Sequence, residues 1–136
     1  MTVVDSDVWS EALRRGSGTA ESWQVVMLRD LIARDEVQML GPIRQETLSG
    51  IRGEAKFERI RSKLRAYPDG SFDEEVHEQA AKFYNLCRSK GIQGSHIDFM
   101  ICAYCVTNKM KVLTKDQDYR LYSRYIPVEI VEATSN

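Results

Sequence analysis

Short apolar runs that read as strands alternate with stretches of helical spacing along the whole chain, the pattern of an α/β domain on a parallel sheet. Val3-Val4 is the first such run, and Asp5-Ser6-Asp7 behind it suits a helix N-cap. The helix that follows carries Trp9 and Leu13 on one face and is expected to stop near Gly16-Ser17-Gly18. From Ala20 to Arg34 a second helix is marked by Trp23, Met27, Leu28, Leu31 and Ile32. Its apolar stripe reads as core packing, with a partner surface as the alternative. Val37 to Leu40 is the second strand. Gly41-Pro42 opens a helix expected to run to about Gly53, since proline is tolerated in a first turn. The next helix, from Glu54 to Tyr67, buries Phe57, Ile60 and Leu64.

Pro68-Asp69-Gly70 reads as a turn, because proline presets φ and glycine accepts φ > 0. Ser71 and Glu74 have capping-box spacing ahead of a helix that aligns Val76, Ala80, Phe83 and Cys87 and ends at Lys90-Gly91. From His96 to Val106 the chain is apolar nearly all round, and a helix without a polar face is a buried helix. Val112-Leu113-Thr114 is the third strand, Asp116 to Ser123 a short helix and Val128 to Val131 a last strand. The expected fold is a three-layer α/β/α domain around a central parallel sheet of four or five strands. It forms a single domain over residues 1–136, a length that buries roughly two-thirds of the unfolded surface.

The formal net charge is −1, so any nucleic-acid contact must rest on local patches of Lys and Arg. Arg52, Lys56, Arg59, Arg61, Lys63 and Arg65 form the densest basic stretch, diluted by Glu54 and Glu58. It reads as a solvated helix face, with tracking of an RNA backbone or of an acidic partner tail as the alternative. Arg14 and Arg15 end the first helix, where they either contact phosphate or complement the helix C-terminus. No apolar run approaches the ~20 residues that span a bilayer, and Met1-Thr2-Val3-Val4-Asp5 lacks the basic start of a signal peptide. Three cysteines form no disulfide framework, so a reduced, cytoplasmic setting without membrane contact is expected. Cys102 and Cys105 make a C-x-x-C inside the apolar helix and read as small buried cysteines. His77 is expected to be exposed, and His96, two residues from Asp98, has a role near substrate only as the lesser alternative.

Four acidic residues belong to four separate segments. Asp5 follows the first strand, Glu46 lies in the first turns of the helix after the second, Asp98 opens the buried helix and Asp116 follows the third strand. In a parallel sheet the strand ends that lead into helices share one edge, where ligands bind, so these carboxylates are expected to meet. Two carboxylates ~5 Å apart repel by about 3 kcal/mol at an effective dielectric near 20, so either some stay protonated or a cation sits among them. Oxygen ligands suit Mg²⁺ or Mn²⁺, one or two ions, and the chemistry expected is in-line attack of a metal-activated water on phosphorus. Each acid also has a plainer reading. Asp5 and Asp116 suit helix caps, Ser95 to Asp98 has capping-box spacing, and Glu46 suits a solvated glutamate.

Val3-Val4-Asp5-Ser6-Asp7-Val8-Trp9 resembles the opening motif of PIN domains, in particular those of VapC-type toxins. Gln45 to Gly50 resembles their second motif, Asp98 to Ala103 their third and Leu113 to Tyr119 their closing Thr-x-Asp-x-Asp-Phe segment. The likeness covers nearly the whole chain. It implies metal ligation and catalysis by Asp5, Glu46, Asp98 and Asp116, with Ser6 and Thr114 orienting them through hydrogen bonds and Asp118 as a further acidic member. Asp7 stands where Ser or Asn is usual, and Tyr119 replaces Phe. The resemblance further implies a Mg²⁺- or Mn²⁺-dependent endoribonuclease, a homodimer, the toxin of a type II toxin–antitoxin pair. Its partners would be RNA and an antitoxin, with DNA met only through the antitoxin.

Two alternatives stand beside it. A non-catalytic PIN-like module would bind RNA or protein without cutting. A haloacid-dehalogenase-like phosphatase would also begin Asp5-Ser6-Asp7, but Trp9 stands where its motif needs Thr or Val.

Overall fold

The computed structural model describes residues 1–14 and 20–134; the expected helix stop at Gly16-Ser17-Gly18, and Arg15, lie outside the described residues. The elements are β1 (Thr2–Val4), α1 (Ser6–Leu13), α2 (Trp23–Ala33), β2 (Val37–Leu40), α3 (Gly41–Leu48), α4 (Glu54–Leu64), β3 (Asp69–Gly70), α5 (Glu74–Ser89), α6 (His96–Thr107), β4 (Lys111–Leu113) and α7 (Asp118–Tyr122). Among the described residues the sheet has four strands, all parallel, in the order β3-β2-β1-β4.

β1 is central, with Val3 opposite Gln38 of β2 on one side and Val112 of β4 on the other. Successive strand residues point to opposite faces, so complete burial of the neighbours Val3 and Val4 requires cover on both faces of the sheet. Met39-Leu40 and Val112-Leu113 repeat the pattern. The chain steps outward from β1 through β2 to β3, then returns to place β4 on the far side of β1. Right-handed crossovers put α1 to α4 on one face and α5 and α6 on the other. The packing agrees: α1 lies against α2 and α3, α3 against α4, and α5 along α6.

Residues 68 to 70 do not form the expected turn, because Asp69 and Gly70 pair with Met39 and Leu40 as the edge strand β3. Glycine is required there for close approach: a Cβ on Gly70 would come within 2.7 Å of the Tyr104 ring. Arg44 of α3 locks this edge. It donates to Asp69 Oδ1 at 3.0 Å, to the Leu64 carbonyl at 3.1 Å and to the Tyr67 carbonyl, taking acceptors left free at the end of α4. Helix α4 accordingly stops at Leu64 instead of Tyr67. Helix α3 stops at Leu48, short of Gly53, where Ser49 Oγ caps the Gln45 carbonyl at 2.7 Å.

The cap of α5 is Asp73, which accepts from the Val76 N–H at 3.0 Å, and not Ser71. The last expected strand reduces to one parallel bridge between Ile130 and Val112. Helix α2 buries Val25, Leu28 and Leu31 but leaves Trp23 and Ile32 exposed, so its buried stripe is narrower than the apolar spacing alone implies. Helix α6 buries Phe99 and Ile101 to Cys105 but leaves Ile97 in its first turn exposed, and Cys87, Cys102 and Cys105 are free, buried thiols. His77 is exposed.

Candidate functional site

The direction of the connections reverses at β1, whose neighbours are β2 on one side and β4 on the other, and such a switch point opens a crevice at the carboxyl ends of the strands. Asp5 is the single residue between β1 and α1. Its Oδ1 accepts from the Ser6 N–H at 2.8 Å and its Oδ2 from the Thr114 hydroxyl at 2.8 Å. Only 8% of the residue is exposed. Burial, then the neighbouring charge of Asp7, pushes its carboxyl up to about 7, against the pull of the two hydrogen bonds.

Thr114, buried at the end of β4, is a two-way link. It donates to Asp5 and accepts from the Asp116 N–H at 3.1 Å. Asp116 in turn accepts from the Asp118 N–H at 2.9 Å, which turns the chain into α7. Ser6 acts through its backbone N–H.

Asp98 sits in the first turn of α6, where Ser95 Oγ caps its N–H at 3.0 Å. The capping reading and the site reading of this segment are compatible, because the cap uses the backbone and leaves the carboxylate free. That carboxylate accepts from the Tyr122 hydroxyl at 2.6 Å. Burial lifts its pKa above the ordinary value, with Asp116 and Asp118 adding to the rise. Glu46, on α3, is largely exposed, yet partial burial followed by the charges of Asp98 and Asp7 raises its carboxyl too.

Charge links these acids: Asp98 acts on Asp5 and on Glu46, and Asp116 acts on Asp98. Among the described residues, no three His, Cys, Asp or Glu side chains stand close enough to hold an ion between them. The donor set nonetheless suits a hard cation. It is all oxygen, the charge of Asp98 raises the carboxyls of Asp5 and Glu46, and Asp7 keeps a buried Oδ1 with no hydrogen-bond partner. A divalent charge in the crevice would remove the repulsion and satisfy that oxygen.

Three contributors are not legible in the sequence. Tyr122 lies 24 residues from the carboxylate it holds. Lys115 donates its N–H to Asp7 Oδ2 at 3.0 Å and its Nζ to Glu11 at 2.7 Å. Glu11 also accepts from the Ser22 N–H and hydroxyl, each at 2.9 Å, and the Lys115 bond first among these draws its carboxyl down to about 2. The one available signal was Asp7, a second acid beside Asp5 that calls for a nearby donor.

No curated protein matches the chain in sequence. Its structure is similar to FitAcB from Neisseria gonorrhoeae, with a TM-score of 0.74, 19% identity and 98% of each chain covered. It is also similar to FitAB bound to IR36 DNA, with a TM-score of 0.73, 23% identity and coverage of 96% of this chain and 94% of that one. VapBC2 from Rickettsia felis, bound to a promoter DNA fragment, has a TM-score of 0.74 at 10% identity over 96% of each chain. At these identities the likeness is one of fold. The family model for the PIN domain matches residues 2–125, from the first residue of β1 to beyond α7, and so takes in all four acidic segments: this chain belongs to the PIN domain family.

Proposed function

We propose that the chain acts as one domain, a Mg²⁺- or Mn²⁺-dependent endoribonuclease that serves as the toxin of a toxin–antitoxin pair. The observation that carries this reading is the burial of Asp5 between the ends of β1 and β4, within the fields of Asp7 and Asp98. A buried acid among acids is a costly arrangement unless a cation offsets it.

Asp5, Glu46, Asp98 and Asp116 are the residues proposed to hold one or two ions. A bound ion supplies a polarised water and charge neutralisation at phosphorus. The protein's own part is positioning. Thr114 aims Asp5 Oδ2 and the Asp116 backbone, Tyr122 aims Asp98 Oδ2, and Ser6 holds the other oxygen of Asp5. Outer contacts of this kind keep the carboxylates from swinging apart under their mutual repulsion.

The partners that accompany this reading are an RNA substrate, an antitoxin, a second copy of the chain and, through the antitoxin, DNA. FitAB and VapBC2 are each described bound to DNA, which supports the last of these. Among the described residues no helix is long and apolar enough to cross a membrane, which accords with the cytoplasmic setting proposed.

Expression of the wild type and of Asp5→Asn, followed by mapping of new RNA ends, tests the proposal. New ends and growth arrest with the wild type alone are expected. Purified protein that binds RNA but never cuts it in Mn²⁺ would point instead to the non-catalytic module, and a trapped phosphoryl group on Asp5 to the phosphatase.

A further inference from the structure

A basic hollow lies apart from the acidic residues. A cavity of about 380 Å³ opens between the C-terminal ends of α1 and α3 and the start of α4. Arg14 lines it from α1, Arg52 from the loop after α3 and Lys56 from the first turn of α4. Ser10 and Thr47 add hydroxyls, and Ile60 closes the floor. All three cations are exposed. Among the described residues no carboxylate lines the cavity and none of the three cations is in an ion pair, whereas Arg44 and Arg61 nearby are both paired. Three uncompensated positive charges around one hollow attract a polyanion, in a chain whose net charge is −1.

Two chain relations tie the cavity to the acids. Asp7 and Ser10 are spaced i and i+3 on one face of α1, and Arg14, at i+7, is the residue that caps its C-terminal end. Seven residues of helix separate the acid from the arginine by about 10 Å, within reach of neighbouring phosphates along an extended strand. On the opposite wall Glu46 belongs to the crevice and its chain neighbour Thr47 to the cavity. A strand whose scissile phosphate lies at the acids must leave along some path, and this one carries positive charge where the crevice carries negative.

We infer that Arg14, Arg52 and Lys56 form a backbone subsite that grips the sugar–phosphate chain of the single-stranded substrate beside the scissile bond. The inference rests on the ribonuclease reading, whose substrate it places. It divides the basic stretch seen in the sequence, assigning Arg52 and Lys56 to substrate and leaving Lys63 and Arg65 to the solvated face of α4.

The test is fluorescence anisotropy with a labelled single-stranded oligoribonucleotide in EDTA, across a KCl series, on the full chain. The triple variant Arg14→Ala/Arg52→Ala/Lys56→Ala should bind about 10-fold or more weakly. The slope of log K against log salt should fall by about 2, since each phosphate that is no longer neutralised removes about 0.7. Lys63→Ala/Arg65→Ala, exposed cations at the far end of α4, should bind within about two-fold of wild type. Because the three residues are exposed, the melting temperature should stay close to wild type. Equal losses in both variants, or none in the triple, overturn the subsite. So does an acidic peptide that needs the three cations while RNA does not, since that makes the hollow a protein-docking site.

Cleavage in Mn²⁺ separates the two levels. Wild-type cleavage with KM unmoved by the triple variant removes the subsite and leaves the ribonuclease. Cation-dependent RNA binding without cleavage by any form removes the ribonuclease and leaves the subsite.

Discussion

The hydroxyl of Thr114 donates to Oδ2 of Asp5 across 109 residues of chain, at 2.8 Å. This hydrogen bond joins the carboxyl ends of β1 and β4, the two strands that flank the switch point, and it is buried at both ends. Replacing the hydroxyl by a methyl of similar shape leaves a buried carboxylate without one of its two donors. Thr114→Val should cost about 1.5–3 kcal/mol when Asp5 is ionised, read from urea melts at neutral pH. Metal affinity by calorimetric titration should drop about 10- to 100-fold. Thr114→Ser should recover most of both. An unchanged affinity in Thr114→Val would remove the positioning role.

Tyr119 and Tyr122 of α7 are both fully buried, but their hydroxyls differ. Tyr122 donates to Asp98, whereas Tyr119 has no hydrogen-bond partner. Tyr122→Phe should therefore lose about 1–3 kcal/mol of stability and weaken Mn²⁺ binding, while Tyr119→Phe should be neutral or stabilising. Paired urea melts of the two variants decide the matter, and equal losses would show that ring packing alone is at work.

Without metal, stability should fall as pH rises from about 4 to about 7. Asp5 titrates at about 7 in the fold and at 3.8 when exposed, so between these values the native state keeps a proton that the unfolded state has released. The contribution is whole below the lower value, is lost progressively up to the higher one and is constant beyond it. A shift of this size corresponds to something of the order of 4 kcal/mol. Glu11, drawn down to about 2, acts in the opposite sense but in a more acidic window, below its ordinary 4.5. Melts in EDTA at pH 5 and 7.5 should show the loss in the wild type and a clearly smaller loss in Asp5→Asn, where Asp7, Glu46 and Asp98, also raised in the fold, still contribute. The same pH slope in both proteins would rule Asp5 out as its source.

Mn²⁺ should raise the melting temperature at neutral pH, by the equivalent of about 2.7 kcal/mol when the free ion is at 100 times its Kd. Asp98→Asn removes one of the charges that the ion offsets and should blunt the rise. Scanning calorimetry with and without Mn²⁺ measures both proteins, and an equal rise in each would place the ion elsewhere.

Much of the layout was legible from local signals. The doublets Val3-Val4 and Val112-Leu113 report burial on two faces, the all-apolar course of α6 reports a central helix, and the acids stand where strand gives way to helix. Signals that depend on a distant neighbour misled. Residues 68 to 70 have the composition of a turn, but the edge of β2 beside them, the Tyr104 ring and the Arg44 side chain draw Asp69 and Gly70 into the sheet. Val128 to Val131 has the composition of a strand, but it meets the sheet at a single bridge, where Glu129 accepts from the Val112 N–H and Val131 donates to the Val112 carbonyl.

Sequence alone determined the alternation of elements, the burial of α6 and the candidate acids, because period, capping and strand-to-helix transitions are properties of a few consecutive residues. Tertiary structure decided which groups hold those acids and which cations stand together. Tyr122 meets Asp98, Lys115 meets Asp7, and Arg14, Arg52 and Lys56 line one cavity, in each case because segments separate in the chain are packed together. Spacing along a chain specifies the face on which a side chain lies, but only packing specifies what lies across from it.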